Sequence, residues 1–319
     1  MTKIASIIFS LCILTEGWAT ERLYVHVDDE LGRPVSNAVV KLETMNKVIP
    51  FGSDRAKDYD HYEAITDTDG NAVVKFNCKN GCFGWGVGAS NYYPSASYNG
   101  EFKGEDLFPI PRCVLHEHEK HVTAVVWRKR NPQPMFVWSA KERRKSPKGL
   151  GRFGFDLKAF DWLPPFGRGK IADFYFNKIK GTDYDEGEIV GNIEFEGGNG
   201  AYVMKKNDYK AFPTAYEANP SALYETNFVS RGYRKAGYLL RTNYITKDEY
   251  MVVRTRVKTD DHGNVISAHY AKIFGPFSAG DNFIVADEIV FNPNVNDPNL
   301  EFDVRKNLNP DCKETWLYP

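Results

Sequence analysis

Residues 22–28 read Arg-Leu-Tyr-Val-His-Val-Asp and run through Asp29-Glu-Leu-Gly-Arg-Pro34 into a second apolar stretch, Ala38-Val-Val-Lys-Leu42. Side chains of a strand alternate between its two faces. Leu23, Val25 and Val27 therefore share one face of a half-buried strand, and the segment carrying Gly32 and Pro34 turns the chain back. The same pattern returns downstream, where Thr66-Asp-Thr-Asp-Gly-Asn71 separates Tyr62–Ile65 from Ala72–Phe76. There the short Asp side chains bond back to the backbone and Gly70 tolerates a positive φ. Further strands are expected over Gly84–Ala89 and His121–Arg128.

Outward from this region, residues 150–319 hold aromatic-rich strand candidates at Ile171–Phe176, Glu188–Phe195, Ala201–Met204, Tyr238–Thr242, Glu249–Lys258, Val265–Phe274, Asn282–Phe291 and Leu300–Val304. Thr259-Asp-Asp-His-Gly-Asn264 repeats the turn chemistry between two long alternating runs. A short helix is expected within Ala211–Tyr224, limited by Pro213 and Pro220. No Gly-rich motif follows a strand and opens a helix, which argues against a nucleotide-binding α/β domain. The composition agrees: 14% aromatic residues with 26 Gly and 17 Pro favour short strands and tight turns over long helices. The expected fold class is all-β, a small Ig-like or prealbumin-like sandwich followed by a larger β-sandwich or jelly roll. The expected organisation is a leader at 1–19, the small sandwich at 20–134, a basic linker at 135–149 containing "KERRKSPKG", and the aromatic-rich domain at 150–319.

The strings "VHVDDELGRPVSNAVVKL" (25–42), "AITDTDGNAVVKF" (64–76), "GWGVGASNYYP" (84–94) and "HVTAVVWRKR" (121–130) together resemble a carboxypeptidase regulatory-like domain, an extracellular β-sandwich module of bacteria. The resemblance covers about a third of the chain. It implies a non-catalytic accessory role and brings no catalytic residues with it. The pattern departs from that family at Cys78 and Cys82, which elaborate a strand end.

Residues 1–19 have the layout of a secretory signal: Lys3, an apolar run from Ile4 to Leu14, and Gly17-Trp18-Ala19 at the cleavage position. The apolar run is about half the length needed to span a bilayer, so no transmembrane segment is expected in the mature chain. A secreted or periplasmic location follows, including association with the outer surface. Export makes the four remaining cysteines, Cys78, Cys82, Cys113 and Cys312, candidates for two disulfides in any of three connectivities. The formal charge of −1 gives no whole-chain field toward nucleic acid or an acidic surface, and nucleic acid is not an expected partner.

Several residue groups are candidates for chemistry. His116, His118 and His121 approach metal-ligand spacing, and a solvated edge strand explains them equally well. The carboxylate pairs Glu186/Glu188, Glu194/Glu196, Asp287/Glu288 and Glu301/Asp303 are the types that hydrolyse glycosidic bonds when held at the right separation. Asn292, Asn294, Asn296 and Asp303 concentrate oxygen ligands suited to calcium, although Asp297 stands where a calcium loop needs Gly. Trp162, Phe166, Tyr175 and Tyr202 offer rigid apolar area with polar handles for stacking on a ligand. The expected function is an exported non-catalytic binding protein for glycan or a cell-surface protein, with no cofactor required and calcium as an optional loop ligand. The alternatives are an extracellular polysaccharide hydrolase with paired carboxylates and a structural component of the cell envelope.

Overall fold

The computed structural model describes residues 20–45, 59–77, 83–94, 121–139, 144–181, 186–207, 212–235, 238–241, 244–279 and 283–312. The leader, Cys78, Cys82, Cys113, His116 and His118 lie outside these residues. The chain divides into two compact units, with the division between Val126 and Trp127; residues 91–94 belong with the second.

The first unit is built from β1 (Glu21–Asp29), β2 (Val39–Met45), β3 (Tyr59–Ile65), β4 (Asn71–Phe76) and β5 (Phe83–Gly88). The short β6 (Tyr92–Tyr93) pairs with the end of β7 (His121–Arg128), and both paired ends belong to the second unit. Strand β1 lies between β4, antiparallel, and β7, parallel, while β2 lies between β3 and β5 in a second, antiparallel sheet. The period-two pattern does what it predicts: Leu23, Val25, Val27, Val40, Leu42, Val74, Phe76, Trp85 and Val126 are all buried.

The turn between β3 and β4 is closed by Asp67, whose Oδ1 accepts the amides of Asp69 and Asn71, both at 2.9 Å. Gly70 follows at φ 77°, and a Cβ there would stand 2.6 Å from the Val27 carbonyl oxygen. Gly32 has a similar φ of 70° but open space around it. Gly70→Ala is therefore expected to lower stability by about 1–3 kcal/mol through backbone strain and the clash, and Gly32→Ala by less, in urea unfolding. Equal losses would show that the contact with Val27 is irrelevant.

The second unit begins with β8 (Gln133–Ser139), β9 (Arg144–Lys145), β10 (Gly151–Asp156), β11 (Asp161–Trp162), β12 (Phe174–Lys180), β13 (Gly187–Glu194) and β14 (Gly200–Lys205). It continues with β15 (Asn227–Lys235), β16 (Tyr238–Arg241), β17 (Glu249–Thr259), β18 (Val265–Phe274), β19 (Ser278–Ala279), β20 (Phe283–Val285), β21 (Glu288–Phe291) and β22 (Phe302–Asn307). They form a six-stranded sheet β11-β10-β12-β13-β15-β16, a second six-stranded sheet β14-β17-β18-β21-β8-β22, and a small sheet β19-β20-β9. One core joins Phe153, Phe155, Trp162, Phe174, Phe176 and Ile193 of the first large sheet to Met251, Val253, Ala271, Ile273, Ile289 and Phe291 of the second. The two sheets thus pack face to face. The second sheet is covered on its other side too, where Ala218 and Tyr224 close over Val137, Tyr250, Val252, Tyr270, Val290 and Phe302. Double coverage is why the β17 stretch Tyr250–Val253 is buried residue after residue where simple alternation would expose every second side chain.

The all-β expectation agrees with this architecture. Neither large sheet closes on itself, so the described residues form packed open sheets and no barrel. Two local expectations are corrected. Residues 135–139 and 144–145 are strand where a linker is expected: β8 is an interior strand with Met135 and Val137 fully buried, and β9 pairs with β20. Residues 212–224 carry no helix; they run as turns, with Glu217 bridged to Asn299.

Candidate functional site

The most concentrated set of charges inside the second unit is formed by Asp156, Asp173 and Arg256. Asp156 ends β10, Asp173 precedes β12, and Arg256 belongs to β17 at an irregularity where pairing with β18 skips from Thr255 to Lys258. Arg256 has φ 54°, and a bulge of this kind re-aims one side chain relative to the pleat. Its guanidinium reaches Asp156 Oδ1 at 2.8 Å and both Asp173 oxygens at 2.9 and 3.1 Å, and it lies 4.7 Å above the Phe291 ring. The remaining carboxylate valence is filled. Asp173 accepts the Thr255 hydroxyl and the Leu157 amide, while Asp156 accepts the amides of Ala159, Lys170 and Ile171. Burial alone would push the Asp156 carboxyl up. The Lys170 and Ala159 amides and the Arg256 charge outweigh burial and hold it below the usual carboxylate range.

Two further ties use buried carboxylates. Glu301 accepts the Tyr93 hydroxyl at 2.8 Å and the amides of Arg130 and Asn131. Asp161 accepts the amides of Trp162 and Arg168 and has Arg144 and Arg168 within 3.7 Å. Lys272 is wholly buried; burial holds its ammonium down to about 7, with Glu288 and Glu301 opposing that shift, and its Nζ donates to Thr214 Oγ1 at 3.3 Å. These arrangements can hold strands together. Asp156 and Asp173 each accept at least four hydrogen bonds, while Asp161 and Glu301 accept two and three.

Each carboxylate pair read from sequence has a member beside a cation, Asp287 lying 3.9 Å from Lys206. Glu194 and Glu196 both grip Arg152, which lies 3.5 Å above the Tyr175 ring. Glu188 pairs with Lys180 at 2.8 Å, and Asp303 with Arg305 and Lys306. Of the aromatic candidates, Trp162 is 1% exposed, packs on Phe155 at 5.1 Å and donates its indole N–H to the Lys145 carbonyl. Tyr202 packs edge-on against Tyr224 at 5.2 Å, and its hydroxyl accepts the Asn219 amide. Phe166 alone of the four is exposed, at 54%. His121 stacks on Tyr24.

The calcium expectation is corrected. Asn292 donates to the Asp297 and Asn299 carbonyls and accepts the Asn294 amide; Asn296 accepts the Ala268 amide and donates to the Ile266 carbonyl. Together with the cations on Asp303, these bonds make the loop a self-bonded turn, and no metal-binding group of His, Cys, Asp and Glu occurs among the described residues. The disulfide expectation is corrected as well, since no Sγ–Sγ pair occurs among the described residues, which include Cys312. The Asp156–Asp173–Arg256 clasp was invisible in the sequence because its members are separated by up to 100 positions. The bulge that aims Arg256 leaves no residue-type signal.

No protein-family model matches the chain, and no curated protein matches it. Among solved structures, the chain is similar to the full-length major pilin SpaD from Corynebacterium diphtheriae, at 10% identity over 88% of this chain and 84% of the pilin, with a TM-score of 0.22. The finer resemblance to carboxypeptidase regulatory-like domains is therefore not supported by a family match, and the all-β architecture is what stands.

Proposed function

We propose that the chain is a non-catalytic structural component of the cell envelope, the reading that its interior chemistry supports best. The observation that carries this reading is the use of the buried carboxylates Asp156, Asp173, Asp161 and Glu301 as internal ties, each held by backbone amides, hydroxyls or cations. A hydrolase keeps at least two carboxyl groups free to exchange protons with substrate. Extracytoplasmic placement rests on the signal-like residues 1–19.

The test is to fractionate cells that make the chain and purify it from the fraction where it resides. Recovery in the envelope with a partner at fixed ratio, and no release of reducing ends from a polysaccharide array, is the expected result. Release of reducing ends by the folded chain, abolished by neutralising one carboxylate, would overturn it in favour of a hydrolase.

A further inference from the structure

The segment from Arg144 to Ile171 presents its apolar and charged side chains in an unusual division. Leu150 is 57% exposed, Phe166 is 54% exposed, and Pro164 and Pro165 between them are exposed as well. Phe166 packs edge-on against Phe153 at 5.1 Å, and Leu150 directly precedes β10, the strand that carries Phe153. The turn carrying Phe166 is held from below. Leu163 donates to the Gly154 carbonyl, Phe166 to Leu163, Gly169 to Trp162, and the Arg168 amide to Asp161. An apolar tip fixed in this way loses little conformational freedom on binding.

The exposed ionic side chains of the segment itself have one sign. The exposed ionic side chains of residues 144–171 are Lys145, Lys148, Arg152, Lys158, Arg168 and Lys170; the two carboxylates of the segment, Asp156 and Asp161, are buried. Arg168 is 3.7 Å from Asp161 yet remains 86% exposed. On the neighbouring strands Glu194 and Glu196 are held by Arg152, and Glu188 by Lys180. Glu186, exposed before the head of β13, lies two strands from β10 and five residues along from Gly191, the position in line with Gly151.

We propose that Leu150 and the Pro164–Phe166 turn form a membrane-surface contact, seating their side chains at the headgroup boundary of an anionic lipid bilayer while Lys148, Arg168 and Lys170 meet the lipid phosphates. A segment that exposes apolar side chains together with cations is what an anionic interface recognises: the hydrocarbon gains from leaving water and the cations from the negative surface potential. A protein groove complementary to this tip would need an acidic rim, and that partner is the competing outcome. Among the described residues no helix is long and apolar enough to cross a membrane. The inference goes beyond the envelope reading by naming a surface the protein touches.

The experiment uses the purified full chain and sedimentation with vesicles of pure phosphatidylcholine or of phosphatidylcholine with 30% phosphatidylglycerol. Binding should be at least tenfold tighter to the anionic vesicles and weaken in high salt. Phe166→Asp and Leu150→Ser should each reduce it about tenfold, and the pair Arg168→Glu with Lys170→Glu at least fivefold, with unfolding midpoints showing that every variant folds. No binding by the wild-type chain, or equal binding by the Phe166 and Leu150 variants, would overturn the proposal. So would protection of the tip by a protein partner alone. Fractionation of cells tests the envelope reading separately, so failure of one is distinguishable from failure of the other.

Discussion

Arg256→Met is expected to cost about 3–5 kcal/mol of folding stability, because it leaves Asp156 and Asp173 buried side by side without their cation. The pH dependence separates this cause from lost packing. In the wild-type protein the Asp156 carboxyl titrates below its ordinary value of 3.8. Its contribution is therefore fully present above that value and lost as pH falls through the lower folded one. Without Arg256 the two carboxylates repel each other in a dry site and the Asp156 pKa rises. Protonation then relieves the variant, whose urea midpoint should climb relative to wild type as pH falls from 7 toward 5. A deficit that stays constant over that range would show that the clasp contributes by shape and not by charge.

Trp162→Ala should be nearly as damaging, at about 3–5 kcal/mol, since it opens a cavity among Phe153, Phe155 and Phe176 and strands the Lys145 carbonyl. Phe166→Ala, four positions on, should stay within about 1 kcal/mol because half of its side chain is already in water. Thermal unfolding of the two variants would place one residue in the core and the other on the surface. A mild effect at Trp162 would contradict its burial.

That pair of residues also shows where sequence reading ends. Trp162-Leu-Pro-Pro-Phe166 has the composition of an exposed stiff loop, and half of it is one: the prolines and Phe166 face outward. Trp162 points inward because Asp156 and Asp161 pair across β10 and β11, which turns the indole onto the Phe155 side. Hairpins were legible, since the Asp- and Gly-containing turns at 66–71 and 259–264 act through neighbours in the chain; the expected strands 121–128 and 265–274 have those same bounds. Strand β8 was not legible. Gln133-Pro-Met-Phe opens with a proline after Asn131-Pro132, yet Pro134 lies at the start of the strand, where the missing amide costs little. The calcium reading failed for a similar reason: Asn-rich segments bind their own backbone as readily as they bind a cation, and only coordinates show which choice is made.

The parallel pairings described for the two units have a mechanical consequence. In the first unit β1 runs parallel to β7 over six residue pairs, from Tyr24 opposite His121 to Asp29 opposite Val126. In the second, β8 runs parallel to β22, with the Asn307 and Asn309 side chains adding bonds to the Val137 carbonyl. Parallel neighbours point their leading ends the same way, so tension entering one strand at its start and leaving the other at its finish slides them past each other. All the bonds between them then strain together, where an antiparallel pair would peel open one bond at a time. Pulled from the outer ends of these strand pairs, each unit is loaded in shear, and its lifetime under force is set by breaking the whole set at once.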